Sequence, residues 1–206
     1  MSLLHLGVLL AAAWAVLAIA FQRAGARAYG RRQLFSKSAG DPAKGVVYAF
    51  TKGMSPWAKE SVRMNLPSYA AGMAFHAGVF GSFFLLLATL AGLELPAWLL
   101  LAVRFAAVIG AAGGLSLLVK RMVMAQLRGL SVPDDFVSNL LSTLFVILAF
   151  AGTFRDGIRT AWMLETILLL IYVPVGKIRH CFFFFTTRYH LGAFFGRRGT
   201  FGGGHA

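Results

Sequence analysis

Residues 66–92, LPSYAAGMAFHAGVFGSFFLLLATLAG, contain no Asp, Glu, Lys or Arg, and their only ionisable side chains are His76 and Tyr69. As a helix rising about 1.5 Å per residue, such a run is longer than the roughly 30 Å hydrocarbon core of a bilayer. Four more apolar runs are long enough to span, at about 3–21, 95–119, 137–152 and 161–185. The run at 137–152 is the shortest, but Pro133 and the Asp134-Asp135 pair make a helix start just before it. Composition agrees: 58% of the 206 residues are apolar, and the mean hydropathy of +0.72 exceeds what a soluble domain buries in one core. The fold class predicted is an all-α integral membrane protein. Residues 1–206 read as one domain, a five-helix transmembrane bundle in contact with membrane lipid.

The net charge of +13 is in this context a topology signal and not evidence for nucleic acid. Arg23, Arg27, Arg31, Arg32, Lys37, Lys44, Lys52, Lys59 and Arg63 follow the first run; Lys120, Arg121 and Arg128 follow the third; Arg188, Arg197 and Arg198 follow the last. The other side carries Glu94 and the loop with Arg155, Asp156 and Arg159. The positive-inside rule therefore predicts the N-terminus outside and the C-terminus in the cytoplasm for a multi-pass membrane protein. The first run is read as a retained helix, because its arginines come after it, the reverse of a signal peptide.

Between the first two runs, Asp41-Pro42 and Ser55-Pro56 start two cytoplasmic interfacial helices within about 42–65, and Trp57, Lys59 and Arg63 suit the headgroup level. This stretch reads either as a solvated basic loop or as a docking surface for a cytoplasmic partner. The glycine-rich tail 199–206 reads as flexible.

His76 and His180 are the two histidines well inside apolar runs. His76 comes about 18 residues before Glu94 and His180 about 21 after Arg159, so at about 1.5 Å per helical residue both lie roughly 27–32 Å from one face. Two imidazoles at one depth can ligate a haem iron from both sides. Gly72, Gly78 and Gly81 around His76, and Gly176 one turn before His180, would admit a flat macrocycle. Lys177 and Arg179 can meet propionates, although snorkelling to the interface accounts for them equally well. Arg104 and Glu165 are ionisable residues at membrane depth; they read as an ion pair between helices or as a proton-handling group near a quinone. Cys181, the only cysteine, permits no internal disulfide and reads as buried packing, and no C-x-x-C-H sequence exists for covalent haem attachment.

Two stretches, FHAGVFG at 75–81 and PVGKIRH at 174–180, resemble the second- and fifth-helix haem motifs of the gamma-subunit (cytochrome b) family of respiratory nitrate reductase. Lys59 to Arg63 (KESVR), Pro133 to Phe136 (PDDF) and Arg188-Tyr189-His190 are similar to membrane anchors of sulfate-reducer and methanogen complexes whose partners are heterodisulfide-reductase-like iron–sulfur proteins. The resemblance covers the chain from about residue 55 onward. It implies a haem held by His76 and His180, and electron transfer in anaerobic respiration between a quinone, menaquinone or another, and a cytoplasmic iron–sulfur subunit of a hetero-oligomeric complex. The resemblance alone implies that the membrane is a prokaryotic cytoplasmic (inner) one. Two-haem members carry further ligands at positions that here are Leu86 and Trp162, which implies one b-type haem. A quinone or proton site falls either at Arg188, Tyr189 and His190 or at Arg104 and Glu165. A haemless anchor and, further off, a transporter are the alternatives.

Overall fold

The computed structural model describes residues 2–30, 36–58 and 60–201, without the side chain of Ser61. Arg31, Arg32, Lys59 and tail residues 202–206 lie outside the described residues. All regular structure among the described residues is helical: α1 Leu3–Ala28, α2 Pro42–Phe50, α3 Glu60–Arg63, α4 Leu66–Leu90, α5 Ala97–Val123, α6 Ala125–Gly129, α7 Pro133–Gly152, α8 Asp156–Tyr172 and α9 His180–Arg197, with short 3-10 turns at Lys52–Met54, Pro56–Ala58 and Lys177–Arg179. Helices α1, α4, α5 and α7 are long and apolar enough to cross a membrane, and α8 with α9 would make a fifth, broken span.

Local sequence accounts for the ends. Asp41 caps α2, its carboxylate accepting from the Ala43 and Lys44 amides at 2.8 and 3.5 Å, with Pro42 at the first helical position. α4 ends at Leu90, and Gly92 just beyond it has a φ of +67° that suits glycine. There the Leu93 amide bonds Ala88 O at 2.9 Å and the Gly92 amide bonds Thr89 O at 3.2 Å, closing the helix in a Schellman turn. Asp135 reaches back to the Val132 amide at 3.0 Å to cap α7.

The sequence reads as a single bundle; the chain divides into two compact units, Met1–Ala18 with Pro67–Ile178, and Ile19–Leu66 with Arg179–Ala206. In the first unit, α4 and α5 approach backbone to backbone. A methyl on Gly78 would stand 2.7 Å from Gly110 Cα, and one on Gly113 would strike the Ala71 carbonyl at 2.5 Å. Small residues allow this, and close packing is what holds helices together where lipid is as apolar as the side chains. The core of this unit gathers Leu86, Val103, Phe145, Val146, Trp162 and Leu169. Phe145 lies between Phe83 and Trp162, with ring centroids 4.7 and 6.0 Å away. α1 joins α8 through Trp14, whose indole N–H donates to Ile171 O at 3.3 Å.

In the second unit, α2 packs on α9 through glycines: a methyl on Gly192 would lie 2.7 Å from Gly45 O, and one on Gly196 would lie 2.6 Å from Asp41 O. Phe50 meets the rings of Phe184 and Phe185 at 6.3 and 6.4 Å, so the phenylalanine run of α9 is in part packing for α2. The tail is ordered further than its glycines suggest: the Thr200 amide bonds Phe195 O at 3.0 Å, and the Phe201 ring lies 5.0 Å from Tyr48.

Two expected elements differ. The helix expected from Ser55-Pro56 is a 3-10 turn followed by the four-residue α3. The fifth apolar run is not one helix over 161–185: α8 stops at Tyr172 and α9 starts at His180. Pro174 has no amide hydrogen to continue the ladder. The Val175 and Gly176 amides both turn back to Tyr172 O, at 3.0 and 2.9 Å, and Gly176 leaves room for the Tyr172 ring, which any Cβ would strike.

Candidate functional site

His76 sits on an exposed face of α4. Its Nδ1–H donates to Gly72 O at 2.7 Å. That bond assigns the proton to Nδ1 and leaves the lone pair on Nε2, the form in which imidazole binds a metal while a carbonyl orients the ring. Gly72 is on the same side of the helix, and a Cβ there would meet nothing within 4 Å. The Phe80 ring, 6.2 Å from the imidazole, completes this face. The donor chemistry at His76 thus fits a residue that would hold a haem iron.

The other glycines assigned to a macrocycle are placed differently. At about 100° per residue, Gly78 and Gly81 are turned about 200° and 140° from His76. Gly78 is buried against Gly110 and Ala106 O, and a Cβ on Gly81 would touch Ala106 Cβ at 3.6 Å. Both lie at the contact between α4 and α5, where the close backbone approach requires glycine at position 78 and a Cβ at position 81 would make ordinary contact.

His180 is exposed and is the first residue of α9. Because the run before it is broken, counting 1.5 Å per residue from Arg159 does not give its depth, and an equal depth for His76 and His180 does not follow from residue counts. Arg179 beside it is exposed. Lys177 is an ion-pair partner, its Nζ 2.7 Å from Asp135 Oδ2. Cys181, expected to be buried, is exposed. Among the described residues no group of three or more His, Cys, Asp or Glu is arranged to hold a metal ion.

Lys177 belongs to a cluster that sequence reasoning missed. Asp135 also pairs with Arg121 at 3.2 Å. Asp134 accepts from the Tyr172 hydroxyl, from Ser138 at 3.0 Å and from the Lys177 amide at 3.3 Å. Both carboxylates at the start of α7 thereby hold the turn that interrupts the fifth run. The available signal was an acidic pair with a tyrosine and a lysine flanking Pro174.

Arg104 and Glu165 do not pair. The Arg104 guanidinium donates to Thr153 Oγ1 at 2.9 Å and Thr153 O at 3.1 Å and stacks over Phe154 at 4.1 Å, so it caps the end of α7. Glu165 is 4% exposed, and neither of its oxygens has a hydrogen-bond partner. Leu86 and Trp162 are buried in one hydrophobic cluster. In the second unit, Arg188 donates to Gly53 O at 3.0 Å and contacts Met54 Sδ at 2.8 Å, while Tyr189 and His190 are exposed with ring centroids 5.5 Å apart.

Compared with protein-family models, with curated proteins and with solved structures, the chain matches none.

Proposed function

We propose that the chain is the membrane cytochrome b subunit of a quinone-linked oxidoreductase complex, passing electrons between the quinone pool and a cytoplasmic iron–sulfur subunit. His76 and His180 would hold one b-type haem. The observation that carries this reading is the His76 ring, held by Gly72 O with Nε2 presented on an open face. When bound, haem supplies the one-electron chemistry. The chain's own residues supply ligation and orientation, with Arg179 as a cation for a propionate.

The filled core around Leu86 and Trp162 supports one haem in place of two. Quinone would be met by the exposed Tyr189 and His190, since Arg188 is committed to the 3-10 turn and Arg104 to the end of α7. Lys and Arg concentrate in the second unit, thirteen of the chain's twenty against two of its seven acids. By the positive-inside rule that unit would face the cytoplasm, where its charge suits an acidic partner surface.

A reduced-minus-oxidised spectrum with a pyridine haemochrome count tests the reading, on wild type and on His76→Ala and His180→Ala. One b-type haem per chain, lost in both variants, is the expected result. A folded wild type without haem would overturn it in favour of a haemless anchor.

A further inference from the structure

Glu165 and Trp162 are one turn apart on the inward side of α8, at 4% and 1% exposure. Both Glu165 oxygens and Trp162 Nε1 lack hydrogen-bond partners. Residues at i and i+3 on a helix stand with Cβ atoms about 5–6 Å apart, so an orphan donor and an orphan acceptor are within reach of each other.

The following charged and polar groups of this unit have partners elsewhere. On α5, Arg104 serves Thr153, Arg121 serves Asp135, and Lys120 donates to the Ser68 hydroxyl. On α7, Asp134 and Asp135 hold Tyr172 and Lys177. At the start of α8, Asp156 and Arg159 face each other at 3.6 Å; on α4, His76 bonds Gly72 O; on α1, His5 bonds Ser2. The buried hydroxyls also turn away: Ser82 to Gly78 O, Thr166 to Trp162 O, and Thr143 to Asn139. A carboxylate ionised here would have lost its hydration with no cation in exchange.

We propose that Glu165 is a proton-binding site in the core of the first unit, carried as the neutral acid, with the unpartnered Trp162 indole N–H one turn away as the donor that meets its carboxylate when the proton leaves. On release, the carboxyl O–H bond breaks, the proton passes to water and an N–H···O bond forms; uptake is the reverse, and no electrons move. This inference does not depend on the haem reading.

Infrared difference spectra between wild type and Glu165→Gln in bilayers decide it. The expected result is the carbonyl band of a protonated carboxyl at neutral pH in wild type, absent from the variant and shifting in D2O. Carboxylate bands alone would overturn the proposal. Should the Gln variant not fold, Glu165→Met supplies the same subtraction. Dicyclohexylcarbodiimide reads proton access, because the acid adds across its N=C=N, oxygen to carbon and proton to nitrogen, and rearranges to a stable N-acylurea. One adduct on the α8 peptide is expected; an acid band that neither exchanges in D2O nor reacts would mean a static buried acid and overturn the site. Trp162→Phe should move the disappearance of the acid band to higher pH, and an unmoved titration would remove Trp162 from the proposal.

Discussion

The Lys177 ammonium stands 2.7 Å from Asp135, on a carboxylate whose side chain is only 13% exposed. The residue that closes the interruption of the fifth apolar run is thereby tied to the first turn of α7, and the neighbouring Asp134 holds the Lys177 amide and the Tyr172 hydroxyl. Hydrogen bonds to charged groups contribute about 1.5–3 kcal/mol each when poorly hydrated. Asp134→Asn is therefore expected to lower stability by about 1–3 kcal/mol and to increase proteolytic nicking between residues 173 and 179. Thermal unfolding in detergent with limited proteolysis reads both; an unchanged melting point and digest would refute the latch.

Two glycines of α4 should behave oppositely. Gly78→Val must push backbone away, since even its Cβ would stand 2.7 Å from Gly110 Cα and 2.9 Å from Ala106 O; overpacking of this kind costs about 1–3 kcal/mol or more. Gly72→Ala meets nothing within 4 Å and should be neutral or slightly stabilising, because alanine is the better helix former. Folded yield and melting temperature of the two variants separate the cases.

Arg104 and Glu165 should prove energetically independent. Arg104→Gln removes the donors to Thr153 at the end of α7 and is expected to cost about 1–3 kcal/mol. In a double-mutant cycle with Glu165→Gln the two effects should add within about 0.5 kcal/mol. A coupling well above that would restore the ion pair suggested by the sequence.

Cys181 is exposed and should take up one N-ethylmaleimide per chain in folded, detergent-solubilised protein. Alkylation measured by intact mass, before and after denaturation, checks this. A thiol that reacts only after unfolding would place it in a packed interior instead.

Much of the helical plan was legible because its signals are local. Asp41-Pro42 and Pro133 mark helix starts, Gly92 marks an end, and uninterrupted apolar runs mark the spans. The interruption near residue 174 was not, since hydropathy runs through it: its cause is a proline together with a glycine that matters only once the Tyr172 ring lies against it. The same limit affected the candidate site. Gly72, Gly78 and Gly81 look alike in the sequence, yet they are turned to different sides of α4, and only Gly72 shares the face of His76.

By itself the sequence determined that this chain is helical and built of segments able to cross a membrane, because apolar length and helix-end chemistry are properties of consecutive residues. Only the tertiary structure decided which polar groups meet. Position along a helix gives depth but neither direction around the axis nor neighbour, so Arg104 finds Thr153, Lys177 finds Asp135, and Glu165 is left in the core with Trp162.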